Sequence, residues 1–239
     1  MSTGENRGER SLRRRLSKVI LYAILIGFSL IATVLSVRYF TLSQVQSSQI
    51  GELERALHEL SSRMNVDSIR QYSIQKVIAI IDRYNPKMVS SLKYEVANTI
   101  YEMSVKYPNL DVDLICATIT QETGRTWEPR VISPAGAMGM MQIMPTTGMY
   151  VAAVEGLNWT TPEQVLYHPI YNIRLGCRYL SSMISEFEID GGLAAYNGGQ
   201  RIAARWIKEN YATGILYAET ANYVPSVKKF WKEYRQMTM

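Results

Sequence analysis

Histidine and cysteine are scarce in this chain, with two of each in 239 residues. His58 and His168 stand far apart and lack ligand spacing, so no zinc-type cluster is expected. There is no glycine-rich phosphate loop and no Ser/His/Asp set with local support. Metal-, nucleotide- and serine-dependent chemistries are thereby disfavoured, and no cofactor is expected. Cys116 and Cys177 are the only thiols. Cys116 reads as a small buried apolar residue, so free thiols are favoured over a disulfide, although sequence alone does not decide the pairing. Internal repeats and low-complexity tracts are also missing.

Net charge is missing where a nucleic-acid-binding domain would need it. Residues 86–239 hold 14 basic and 14 acidic side chains. The basic excess lies at the start, where residues 1–18 hold Arg7, Arg10, Arg13, Arg14, Arg15 and Lys18 against Glu5 and Glu9. No nucleic-acid partner is expected.

What is present begins with 19 uncharged residues, 19–37, read as one transmembrane helix. A cleaved signal peptide would have a shorter apolar stretch and a small-x-small site after it. Here Arg38, Tyr39 and Phe40 follow instead, like an interfacial anchor. The six basic residues before the span predict a cytoplasmic tail over 1–18, a single pass, and everything after Arg38 exported. Residues 38–85 read as linker and helical stalk. The tract 41–49 is polar, and Ile50, Leu53, Leu57, Leu60 and Met64 follow 3-4-3-4 spacing. Two heptads suit either stalk self-association or an amphipathic helix packing on the next segment. A further helix is expected over 68–83, and Asn85-Pro86 marks a boundary.

From Pro86 no period-2 strand is convincing. Helices are expected over 88–105, 112–123, 140–153, 162–166, 170–186, 191–196, 200–210 and 219–234, an all-α domain over 86–239. On the third of these patterns Val112, Ile115, Cys116 and Ile119 share a face, and Glu122 takes its next place. Asp111 or Asn109 would cap its start and Gly124 its end. Burial and the helix C-terminus both favour a protonated carboxyl. At pH 7 a carboxyl of pKa about 4.3 is roughly 0.2% protonated, whereas at about 6 the fraction approaches roughly 10%. A glycoside-cleaving general acid needs such a shift.

Four stretches follow in order: TQETGRTWEPRVISPAGAMGMMQIMPTT, NIRLGCRYLSSMI, GLAAYNGG with RW soon after, and ETANYVPSV. Together they resemble the catalytic domain of the Slt-type soluble lytic transglycosylases, lysozyme-like enzymes that cut bacterial peptidoglycan. The resemblance covers roughly residues 88–235 and none of the anchor or stalk. Two departures stand out: Glu122-Thr123 where the family usually has Glu-Ser, and two extra residues before Trp127-Glu128-Pro129. Either would alter the cleft wall near Glu122.

The resemblance implies that Glu122 is the acid/base that protonates the glycosidic oxygen between MurNAc and GlcNAc. No second catalytic carboxylate stands out, since Glu128, Glu186, Glu188 and Asp190 read as solvated. That fits substrate assistance by the N-acetyl group, and the resemblance implies 1,6-anhydro-MurNAc ends. It places Ser133, Gln142, Met144, Tyr196, Asn197 and Tyr223 along the substrate cleft. Ser133 is also a turn residue before Pro134. Tyr196 is expected to donate to Glu122 or to the acetamido group. Asn197 has two readings, sugar contact or helix cap near 200. Met140 and Met141 are expected in the core, and Glu219 in a structural polar contact. The implied whole is a bacterial, inner-membrane-anchored enzyme acting on peptidoglycan outside the cytoplasm. Its rivals are a hydrolase on the same scaffold and a non-catalytic wall-binding scaffold of an envelope machine.

Overall fold

The helix carrying Glu122 is buried on every side, not along one stripe. Leu114 to Thr120 are all fully buried. The hydroxyls of Thr118 and Thr120 survive there because they donate to the carbonyls of Leu114 and Cys116, at 2.9 and 2.8 Å. The computed structural model describes residues 5–238, and Met1–Gly4 of the basic tail lie outside the described residues. The helices are α1 Glu5–Tyr84, α2 Ser90–Lys106, α3 Val112–Glu122, α4 Pro145–Val154, α5 Pro162–Leu166, α6 Pro169–Gly198, α7 Gln200–Lys208 and α8 Ala218–Arg235. Among the described residues there is no strand, only isolated bridges of Met138 with Ile132 and Ile143. The all-α architecture expected from the sequence is the one found.

Contacts divide the chain into two units, residues 1–65 and 66–239. In the first, α1 includes the uncharged run 19–37, which is long and apolar enough to cross a membrane. Thr33 satisfies its hydroxyl on the carbonyl of Ser29 at 2.8 Å, which removes one polar group from the helix surface. Residues 41–49, expected as linker, are helical. Residues 28–50 contain neither Gly nor Pro, so nothing in the sequence interrupts the backbone ladder there. Ile50, Leu53, Leu57, Leu60 and Met64 are exposed.

In the second unit Ile74, Val77, Ile80 and Ile81 of α1 enter the core. Helix α3 packs on α2 and α8, and α6 packs on α2, α7 and α8. Asp111, one of the two expected caps, caps α3 by accepting from the Leu114 N–H at 2.7 Å. The far end closes as a Schellman motif: the Gly124 N–H donates to Gln121 O at 3.2 Å and the Arg125 N–H to Thr120 O at 2.8 Å. Gly124 supplies the positive φ of 58° that this stop requires. Helix α4 starts at Pro145, five residues later than expected, because Met140–Met144 belong to a loop and Pro145 suits a first helical turn. The two helices expected over 170–186 and 191–196 form α6, kinked at Glu188. Cys116 and Cys177 are buried free thiols.

Candidate active site

Glu122 is the last residue of α3 and opens into a cavity of about 580 Å³. That volume suits a small-molecule or sugar site. All seven residues expected at the site line it: Glu122, Ser133, Gln142, Met144, Tyr196, Asn197 and Tyr223. They come from α3, the loop before α4, the end of α6 and the start of α8. The sequence reading missed Gln121, Asn222 and Ser226, which line the same cavity. Ser226 follows Tyr223 by three residues, and its hydroxyl donates to Gln121 Oε1 at 2.7 Å.

The Glu122 carboxyl is half-buried, open to the cavity on one side and packed in protein on the others. Poor solvation of the anion pushes its pKa up to about 8, the nearby Glu219 adds to the rise, and the Tyr223 hydroxyl opposes it. That hydroxyl donates to Glu122 Oε1 at 2.6 Å. Tyr196 was expected to donate to Glu122 or to the acetamido group, and the first of these is corrected: its hydroxyl donates to the carbonyl of Met141 at 2.7 Å. Spacing along the sequence cannot tell which of two tyrosines on α6 and α8 meets α3, because the choice is made by helix packing. Glu219 is likewise not a structural contact. It is exposed at the cavity rim, with no hydrogen bond among the described residues.

The loop 131–144 is pinned from several directions. The Ser133 hydroxyl accepts from the Ala137 N–H at 3.0 Å, so Ser133 is a turn residue as well as a wall of the cavity. Gln142 has a positive φ of 46°. Its amide nitrogen donates to Gly139 O at 2.8 Å and Val131 O at 3.2 Å, leaving its amide oxygen free of that task. Met140 and Met141 are fully buried, as expected. Asn197 Oδ1 accepts from the Thr220 hydroxyl at 2.7 Å, and Gly199 caps α7. Asn172 was missed: its side chain holds two backbone groups of the loop, accepting from the Met141 N–H at 2.7 Å and donating to Met138 O at 2.8 Å.

The two departures from the family pattern do not touch the cavity, since none of residues 123–132 lines it. Thr123 is buried and turned away, its hydroxyl donating to Ile119 O at 2.8 Å and accepting from the Trp127 N–H at 3.1 Å. Trp127, fully buried with φ of 50°, is fixed by its indole N–H on the Thr120 hydroxyl at 2.9 Å. Glu128, Glu186 and Glu188 are exposed, and Asp190 pairs with Lys228 at 2.7 Å. No group of three or more metal-ligating side chains occurs among the described residues.

Residues 100–218 match the Transglycosylase SLT domain family. The soluble lytic murein transglycosylase of Escherichia coli K12 is 32% identical over 120 residues, which are 46% of this chain and 18% of that protein. The membrane-bound lytic murein transglycosylase C of Shigella sonnei is 24% identical over 197 residues, 70% of this chain and 54% of that protein. The chain thus spans about a fifth of the length of the soluble relative. Among solved structures, an inactive Glu-to-Gln mutant of lytic transglycosylase Slt from Pseudomonas aeruginosa superimposes with a TM-score of 0.53 at 26% identity, covering 65% of this chain and 25% of that one. The 70 kDa soluble lytic transglycosylase of Escherichia coli gives 0.51 at 25% identity, covering 70% of this chain and 29% of that one. A central helix ending on a glutamate held half-buried above a sugar-sized cavity, and a sequence match spanning that helix and the cavity loop, coincide: the chain carries an SLT-type lytic transglycosylase domain.

Proposed function

We propose that this chain is a membrane-tethered lytic transglycosylase that cleaves the bond between MurNAc and GlcNAc in peptidoglycan. The observation that carries this is the Glu122 carboxyl. With a pKa of about 8 it is roughly nine-tenths protonated at pH 7, ready to act as an acid in a cavity of sugar size. Glu122 gives its proton to the glycosidic oxygen as the C1–O bond breaks. The neighbouring acetamido oxygen stabilises C1. The C6 hydroxyl then attacks C1 and returns its proton to the Glu122 carboxylate, leaving a 1,6-anhydro end and consuming no water. A nucleophile tethered in the same sugar has an effective concentration that water cannot match. Ser133, Gln142, Met144, Tyr196 and Asn197 form the substrate-facing wall, and Tyr223 positions Glu122.

The hydrolytic alternative has one observation in its favour, Glu219 at the cavity rim, since in glycosidases of two-acid design a second carboxylate activates the water. Mass spectrometry of the products of the full chain in detergent separates the two. MurNAc ends lighter by one water than reducing ends are expected; reducing ends would make the protein a hydrolase.

The tether reading rests on the uncharged run 19–37 and on the basic residues before it, which favour a cytoplasmic tail over 1–18 and an exported domain over 86–239. The inner membrane is the expected location. Self-association, or an envelope-protein partner, would use the exposed stripe Ile50 to Met64 of the stalk.

Tyr223→Phe tests the arrangement around Glu122. The lost hydrogen bond favoured the charged carboxylate, so the Glu122 pKa rises. The alkaline limb of the kcat/KM profile, expected near pH 8, moves upward by about one unit or less, the size of one charge-assisted hydrogen bond. Tyr196→Phe leaves that limb in place, because Tyr196 bonds Met141 rather than Glu122. A profile moved by Tyr196→Phe and not by Tyr223→Phe would refute the assignment.

A further inference from the structure

Helix α8 faces two hollows. Asn222, Tyr223 and Ser226 look into the Glu122 cavity, and the next turns of the same helix form one side of a second groove of about 770 Å³. Pro225 and Trp231 give that groove an apolar floor, and Lys228, Lys229, Lys232 and Arg235 edge it. One cation is already neutralised, since Lys228 donates to both oxygens of Asp190 at 2.7 and 2.9 Å. Arg235 lies over the Trp231 ring, 5.5 Å from its centroid. The Trp231 indole N–H is held by Asp111 at 2.9 Å, which fixes the floor. Lys229 and Lys232 are exposed and make no ion pair among the described residues. The domain as a whole is neutral, so this local excess of cations is not a by-product of a basic composition.

A concave site with an apolar floor and a cationic edge fits a short chain that alternates methyl groups and carboxylates. A flat anionic bilayer would be met better by a convex basic face. We propose that this groove binds the acidic peptide stems carried by the glycan strand whose sugars enter the Glu122 cavity. The stem alanines cover Pro225 and Trp231, and the stem carboxylates meet Lys229, Lys232 and Arg235. Lys229 on the groove's edge follows Ser226 of the cavity by three residues, and side chains so spaced are neighbours on a helix surface, roughly 5–6 Å apart at Cβ and within reach of a stem of four residues. This rests on reading the Glu122 cavity as the glycan site.

The test is cosedimentation of the full chain in detergent, carrying Glu122→Gln to prevent cleavage, with two polymers: stem-bearing peptidoglycan and the same glycan stripped of its peptides. Adding Lys229→Gln, Lys232→Gln and Arg235→Gln is expected to weaken binding to the stem-bearing polymer about three- to tenfold, the scale of a few exposed ion pairs. Binding to stripped strands changes less than about twofold, and raising salt narrows the difference. Lys229→Arg with Lys232→Arg, which keeps the charge, retains the preference. Equal losses on both polymers, or no loss on either, would overturn the proposal. So would a loss seen only with phosphatidylglycerol vesicles, which would assign the groove to a membrane surface. Failure of the cleavage reading is seen separately, as absence of product from the unsubstituted chain on either polymer.

Discussion

Glu122→Gln is expected to lose at least about 100-fold in kcat on peptidoglycan while keeping its fold, and to be more stable than the unsubstituted protein at neutral pH and above. The activity loss follows from the role: the amide keeps the shape and still accepts from Tyr223, yet it has no proton to give at pH 7. The stability gain follows from the raised pKa. In the unfolded chain Glu122 ionises near 4.3, and in the folded chain at about 8. Protonation therefore favours the folded state fully below the lower value, and that contribution is lost as pH rises through the upper one. The glutamine pays no such charge penalty at any pH. The gap in unfolding free energy between variant and parent should widen from about pH 4, reach about 2–4 kcal/mol, and level off above about pH 8, a range that discounts for water entering the cavity. Chemical denaturation at pH 5, 7 and 9 measures the gap, and turnover of purified peptidoglycan measures the activity. A variant that kept turnover would remove Glu122 from the mechanism and favour a scaffold role. A gap unchanged across pH 5–9 would mean that the carboxyl is not held protonated by the fold.

Much of this geometry was legible in the sequence because its causes are local. Asp111 before an apolar run, Gly124 after it and Glu122 at the end of the same face define α3 without any tertiary information, and the structure reproduces both ends. The residues around Glu122 were gathered by resemblance rather than by periodicity. Spacing alone would not bring Ser133 and Tyr223 to one cavity, since loop closure and helix packing do that. What remained hidden depended on the packing of distant segments. Tyr196 and Tyr223 are equivalent to a reader of sequence, yet only one reaches Glu122. Residues 41–49 are polar, which describes a water-facing helix as well as a linker. Thr123 and the added turn before Trp127 read as changes to the cleft, but the Schellman stop directs them away from it. Asn172 gave no signal at all, because a polar residue among apolar ones on α6 looks like an exposed position until its partners are known.

Asn172→Ala should then be strongly damaging although the residue lies outside the cavity. The side chain is fully buried and satisfies two backbone groups that have crossed from the loop before α4. Truncation leaves the Met141 N–H without its partner, takes one of two donors from the Met138 carbonyl, which keeps the Ile143 N–H at 3.0 Å, and opens a void beside them, an expected loss of about 2–4 kcal/mol in unfolding free energy. Asn172→Asp keeps the acceptor for Met141 but sets a second oxygen against Met138 O, so it is not a conservative replacement. The consequence reaches the site through Gly139. Its φ is 80°, and a Cβ there would fall 2.2 Å from Asn172 Nδ2 and 2.2 Å from Leu166 O, so loop and α6 are in contact with no space to spare. Gly139 O is also the acceptor that holds the Gln142 amide. Releasing Asn172 therefore frees the segment that positions Gln142 and Met144, while Glu122 and Tyr223, on α3 and α8, stay where they are. At a temperature where the variant is still folded, KM for glycan should rise several-fold, and the alkaline limb of the pH profile should remain near 8. A variant with lowered stability but unchanged KM would show that the loop keeps its shape without Asn172. A moved limb would show that α3 had moved as well, and that the site is less divisible than the hydrogen bonds indicate.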